Sequence, residues 1–193
     1  MPVIRQLVVK VMSIVLLTCA FQTYANDEQN EVVFTTNKGE IVILLNPEQA
    51  PVTVANFKEY LAAGFYDGTI FHRTIPGFMI QGGGFDENLA RKTTNAAIQN
   101  EANNGLKNAV GTISMARTGA PHSATSQFFI NVNDNVSLDF RDESQRGWGY
   151  AVFGKVTKGL DIVMAISRQK TEANGGHRNV PVDTVVIEKA ILR

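Results

Sequence analysis

Between Gly68 and Phe153 the chain never sustains a helical period. Short apolar or alternating segments follow one another, cut by glycine, asparagine and proline. Segments 69–73, 78–82, 111–116, 127–132 and 151–156 read as strands, because β-branched and aromatic residues recur there in runs of strand length. Upstream, 32–36 and 40–45 flank Asn37-Lys38-Gly39, a hairpin signal, and 185–192 supplies a closing strand. Only two stretches change period. Val54, Phe57 and Leu61 fall at i, i+3 and i+7 behind Pro51, with Thr53 as candidate N-cap and Gly64 as a stop. Leu160, Val163 and Met164, with Asp161 in the first turn, suggest a second helix. A parallel sheet needs a helix in each crossover, so two helices predict instead a mainly β fold, a closed antiparallel barrel. The connections 85–110 and 134–150 are longer than passive loops and are candidate walls of a site.

Residues 1–25 have the form of an export leader. Arg5 and Lys10 precede an apolar run, 11–21, and Thr23-Tyr24-Ala25 ends it with a small residue. The run is short for a bilayer span, and a lipid anchor on Cys19 would follow threonine, a poor residue at that place. Cleavage after Ala25 leaves 26–193 as one domain of 168 residues, with 16 basic against 18 acidic residues, net −2. That balance argues against nucleic acid as a partner. The sole cysteine departs with the leader, so a disulfide or a thiolate metal site is excluded from the remaining domain.

The segment FHRTIPGFMIQGGGF, 71–85, places one guanidinium and one amide among large apolar side chains. Arg73 and Gln81 stand eight residues apart with Pro76-Gly77 between them. If the flanking segments are adjacent strands, both polar side chains share a face and Gln81 steadies Arg73. The bland alternative, in which Arg73 pairs with a surface carboxylate, carries equal weight on these residues alone. In SQFFINV, 126–132, Gln127 and Phe129 share one face while Phe128 and Ile130 can fill a core. Other chemistry has little support. The glycines at 82–84 lack the Gly-Lys-Ser/Thr of a phosphate loop, and His72, His122 and His177 show no metal-ligand spacing. No serine sits in a nucleophile-elbow context.

Four motifs in order, FHRTIPGFMIQGGGF, GTISMA (111–116), SQFFI (126–130) and YAVFGKV (150–156), resemble those of cyclophilins, the peptidyl-prolyl cis-trans isomerases. The likeness runs from about Val32 to the C-terminus and, with the leader and the ARTGAPHSATSQFF loop, is closest to short periplasmic members from Gram-negative bacteria. It implies an eight-stranded antiparallel barrel capped by two helices. It also implies a monomer that acts on X-Pro bonds of exported, incompletely folded polypeptides, without cofactor, metal or membrane attachment. Arg73 and Gln81 then occupy the catalytic positions. Phe78, Met79, Phe129 and Leu138 form the floor of a proline pocket, and Ala116, Arg117, Gln127 and Tyr150 line the groove beside it. Ser137 departs from the pattern, standing where relatives that bind cyclosporin tightly carry tryptophan, and Tyr150 replaces their histidine. The resemblance therefore implies weak cyclosporin binding unless Trp148 substitutes. A binding module for extended chains and a hollow, lipocalin-like barrel are the competing classes; the first would not require the full set Arg73, Phe78, Gln81 and Phe129, and the second requires an unfilled interior.

Overall fold

The computed structural model describes residues 29–193, so the leader assigned to 1–25, with its Cys19, lies outside the described residues. Strand β1 (Glu31–Thr36) turns through Asn37 and Lys38 into β2 (Gly39–Leu45), the hairpin expected. Helix α1 (Pro51–Ala62) follows, then β3 (Thr69–Ile70), β4 (Arg73–Ile75), β5 (Met79–Gly82), β6 (Thr112–Met115) and β7 (Phe128–Asn131). After a single 3-10 turn, Val136–Leu138, come β8 (Val152–Lys158) and α2 (Leu160–Ser167). The hairpin of β9 (Thr171–Asn174) and β10 (His177–Pro181) and the closing strand β11 (Val186–Leu192) complete the chain.

Nine strands form one antiparallel sheet in the order β3-β11-β1-β2-β8-β6-β7-β5-β4. Its two edge strands, β3 and β4, are separated in sequence only by Phe71 and His72. They are halves of one bent segment: Ile70 lies opposite Val186 of β11, and Arg73 opposite Gln81 of β5. The sheet therefore curls round until the covalent chain joins its edges, with no ladder between β3 and β4. The mainly β, antiparallel, two-helix fold is as expected, but a closed barrel overstates it, and the strand foreseen over 69–73 is broken in the middle. Phe71 turns into the core and gives its N–H to Val185 O (2.9 Å), which ends the pairing register that β4 then resumes on the other edge.

The interior is filled. Phe34 stacks on Phe128 (5.4 Å between centroids), and Phe57 packs against Tyr66 (4.9 Å) and Phe153 (5.0 Å), all five fully buried or nearly so. Each buried aromatic contributes on the order of 2–3 kcal/mol by removal from water, with a further increment for edge and offset contacts. Such packing fills the interior and tells against the hollow-barrel alternative. Gly83, with φ +76°, passes so near the cluster that a Cβ there would lie 2.7 Å from the Phe128 ring. The glycine run after β5 thus admits the aromatic core rather than a phosphate.

Helix α1 closes one end of the sheet with Val54, Phe57, Tyr60 and Leu61 in the core, and α2 covers the other with Val163 and Ile166. Thr53 is not the N-cap of α1. Ala50 holds that position without a side-chain bond, and Pro51 opens the helix. The free donors of the first turn are met from a distance: Glu101 accepts the N–H of Val52 (3.0 Å), the N–H of Thr53 (2.8 Å) and the Thr53 hydroxyl (2.7 Å). The 85–110 connection is thereby pinned to the helix. Sequence reading did not anticipate β9 and β10, because Thr-Glu-Ala-Asn carries no large apolar side chain and is mostly exposed.

Candidate active site

Strands β4, β5 and β7 are neighbours, and their outward residues fall in one row. Arg73 lies opposite Gln81 and Gln81 opposite Phe129, while the inward residues Thr74, Ile80, Phe128 and Ile130 face the core. Arg73 Nη1 donates to Gln81 Oε1 (3.2 Å), and Gln81 Nε2 donates to Gln127 Oε1 (3.0 Å). The two amides thus fix the guanidinium from behind. None of the salt bridges among the described residues includes Arg73, which removes the surface-carboxylate alternative.

Arg73 and Gln81 edge a cavity of about 160 Å³ whose other walls are Phe78, Met79, Ala116, Arg117, Phe129, Leu138 and Tyr150. Drug-sized ligands occupy roughly 300–1,000 Å³, so this space suits one small ring or side chain. Met79 and Phe129 are buried at its floor, and Tyr150 meets the Phe129 ring edge-on (5.6 Å, 78°). Arg117 sits over the Tyr150 ring (4.7 Å to the centroid) and donates through Nε to Gly149 O (2.9 Å). Two guanidiniums, Arg73 and Arg117, therefore stand at the rim of a pocket floored by Met79 and Phe129. A larger groove of about 650 Å³, between β2 and the 106–112 segment, mixes apolar residues such as Leu44, Leu45 and Leu106 with Glu48, Lys107 and Lys155.

Of the ten site residues anticipated, nine line the one cavity. Gln127 does not; it stands behind Gln81 as a support. Trp148 stays away from Ser137. Its Nε1–H goes to Asn100 O (3.2 Å) and its ring packs edge-on against His122 (4.6 Å) and Phe140 (5.8 Å), so it serves loop packing. Ser137 is exposed in the 3-10 turn.

Sequence reading missed what holds the walls. Asn135 Nδ2 donates to Phe78 O (2.8 Å) and to Asn131 Oδ1 (2.7 Å), tying the turn before β5 to the end of β7. Asn108 Nδ2 reaches Leu138 O (3.1 Å), Tyr150 O (3.3 Å) and the Asp139 carboxylate (3.2 Å), and Asn108 Oδ1 accepts the buried Ser114 hydroxyl (2.8 Å). Asp139 also accepts the Asn108 N–H (2.8 Å). These buried amides satisfy one another, and three pocket walls, Phe78, Leu138 and Tyr150, hang from them by their carbonyls. Asparagines scattered over 108–135 give no periodic signal, so only spacing in three dimensions reveals the group.

The model of the family described as cyclophilin type peptidyl-prolyl cis-trans isomerase/CLD matches residues 31–191. The chain is 49% identical over 186 residues to peptidyl-prolyl cis-trans isomerase A of Dickeya dadantii, covering 96% of each. It is 56% identical over 161 residues to peptidyl-prolyl cis-trans isomerase B of Escherichia coli, covering 83% of this chain and 98% of that one. A crystal structure of a Cryptosporidium parvum cyclophilin type isomerase, in the presence of the dipeptide Ala-Pro, superposes with a TM-score of 0.68 at 27% identity, over 84% of this chain and 98% of that one.

Proposed function

The chain belongs to the cyclophilin-type peptidyl-prolyl cis-trans isomerases and catalyses that reaction, and from this premise we propose how its own residues lower the barrier. Rotation about an X-Pro bond is slow because amide resonance stiffens C–N, with a barrier of about 20 kcal/mol. At the summit the bond is twisted by a quarter turn and resonance is lost. The proline nitrogen then regains a lone pair that the planar amide lacks. A donor aimed at that nitrogen binds the twisted state better than either planar isomer, which is what acceleration requires.

Arg73 supplies that donor. Its guanidinium is planar, permanently charged and held by Gln81 at the rim of the pocket, so little reorganisation accompanies the twist. The proline ring seats on Phe78, Met79, Phe129 and Leu138, and the residues before it run along Ala116 and Arg117. Exclusion of water from this floor strengthens the contact between the guanidinium and the nitrogen. The observation that carries the proposal is an arginine in none of the salt bridges among the described residues, hydrogen-bonded to a glutamine, beside a cavity of side-chain size floored by Met79 and Phe129.

The clients in this reading are exported polypeptides in the periplasm, met by a monomer released from its leader. The charge pattern of 1–25 supports the export, and no helix among the described residues is long and apolar enough to cross a membrane. Proline-limited refolding, followed with the intact protein and with Arg73→Ala, tests the mechanism. Loss of one charge-assisted donor at the reacting centre lowers kcat/KM by about 100-fold, with the thermal midpoint little changed. Equal acceleration by both forms would remove Arg73 from the chemistry.

A further inference from the structure

Next to the proline pocket, and sharing Arg117, Leu138 and Tyr150 with it, opens a second groove of about 660 Å³, whose outer wall includes Ser137, Gln145 and Arg146. Two guanidiniums line it and no carboxylate does. We propose that this groove is an anion-accepting subsite that seats an aspartate or glutamate side chain of the client close to its proline, so that the enzyme favours acidic flanks. The proposal rests on the reading that proline occupies the pocket beside Arg73.

The two cations differ in how they are held. Arg117 is already ordered. Its Nε and Nη1 donate to Gly149 O (2.9 Å) and Thr118 O (2.9 Å), its charged carbon stands over the Tyr150 ring, and its Nη2 makes no hydrogen bond among the described residues. A carboxylate arriving there meets a donor whose conformational entropy is largely lost beforehand. Arg146 is exposed and belongs to none of the salt bridges among the described residues. Its loop is nonetheless built. Gln145 Nε2 bridges to Gly119 O (3.1 Å), Arg141 Nη2 holds Arg146 O (3.2 Å), and Trp148 wedges the loop between His122 and Phe140.

The carboxylates that could neutralise the groove are turned elsewhere. Asp142 accepts the Ser144 N–H (2.9 Å), and its carboxyl is held below the usual range by the bonds from Ser144, aided by Arg141. Asp139 is buried against Asn108, with Lys107 at 3.7 Å. Glu143, in the same loop, is exposed and outside the groove wall. The local excess of positive charge is therefore specific to this corner of a chain whose formal net charge is +0 overall. It lies where a polypeptide threaded through the proline pocket must pass on one side. A client carboxylate can meet Arg117 and Arg146 together, and a client lysine is repelled by both.

The test compares isomerisation of peptides sharing one neutral core around a single proline, with Glu, Gln or Lys scanned over the flanking positions on both sides. At one position or two adjacent ones, kcat/KM for Glu exceeds that for Lys by about fivefold at low salt, a size set by partly solvated ion pairs, and the ratio collapses toward one near 0.5 M salt. Arg146→Gln leaves the neutral and Gln peptides unaffected and cuts the Glu-to-Lys ratio to about twofold or less. A ratio of one at every position, with the neutral peptide turned over normally, overturns the subsite while the proline pocket stands. A ratio that survives Arg146→Gln unchanged also overturns it. Failure to isomerise the neutral peptide overturns the pocket assignment and the subsite with it.

Discussion

Phe128 and Phe129 are consecutive residues of one type on one strand, and they belong to different regions of the molecule. Phe128 points inward, stacked on Phe34 and met edge-on by Phe57, Tyr66 and Phe71. Phe129 points outward to the cavity floor, opposite Gln81 and against the edge of Tyr150. Inside the curled sheet, aromatic rings fill space against one another. Outside, the same kind of ring keeps a space open and dry. One face therefore carries stability and the other lines the candidate site, although both are built from β5 and β7 and differ only by the alternation of a strand.

Alanine substitutions separate the two faces. Phe128→Ala leaves a hole in a closed cluster and lowers unfolding free energy by about 3–5 kcal/mol, visible as a lower denaturation midpoint in urea. Phe129→Ala removes a ring whose outer side already faces a cavity, so it costs less stability and instead lowers kcat/KM by about tenfold or more. Equal loss of stability from both would break the comparison.

His72 stands between the two faces, immediately before Arg73. It is buried against Phe85 (4.6 Å) and His177 (6.0 Å), and its Nδ1 has no hydrogen-bond partner. Burial, with smaller contributions from His177 and Arg73, lowers its pKa from 6.5 to about 4. The unfolded chain therefore takes up a proton at this residue before the folded one does. Stability is full above pH 6.5, falls as pH drops from 6.5 to about 4, and levels off below for this group. At 1.36 kcal/mol per pH unit, the loss amounts to about 3 kcal/mol. Urea titrations across that range show the drop in the parent protein and lack it in His72→Leu.

The smallest expected effect tests the support behind the outer face. Gln127→Ala removes the partner of Gln81, which then holds Arg73 less firmly, and kcat falls by about fivefold, the worth of one hydrogen bond. KM and the thermal midpoint change little, because Gln127 lines neither the cavity nor the core cluster. A rise in KM with kcat intact would place Gln127 on the substrate instead.

Some of this was legible in the residues alone. Arg73 and Gln81 could be paired in advance because a Pro-Gly turn between two short apolar runs fixes a local register, and that register is the one observed. The β1–β2 hairpin and both helices were readable for the same reason, since their signals lie within a few residues of one another. The failures have the opposite character. Thr53 looked like a helix cap, but Ala50 holds that position and the donors of the first turn are met by Glu101, 48 residues from Thr53. The asparagine group behind Phe78, Leu138 and Tyr150 joins loops far apart in sequence. The β9–β10 hairpin begins on a strand without a large apolar residue, where alternation of burial leaves no trace.

The sequence by itself determined the antiparallel β class and the two helices, because strand alternation and turn residues are local properties of the chain, and the likeness of its ordered motifs to cyclophilins pointed to most residues round the cavity. Tertiary structure alone decided that the sheet closes through the bend at Phe71 and His72 rather than through a ladder. It alone decided that Arg73 meets Gln81, itself held by Gln127, and joins none of the salt bridges among the described residues, and that Arg146 and Arg117 line one groove. Those outcomes depend on which distant groups a buried or half-buried side chain meets, and the energy of such meetings is set by burial and geometry that no local pattern encodes.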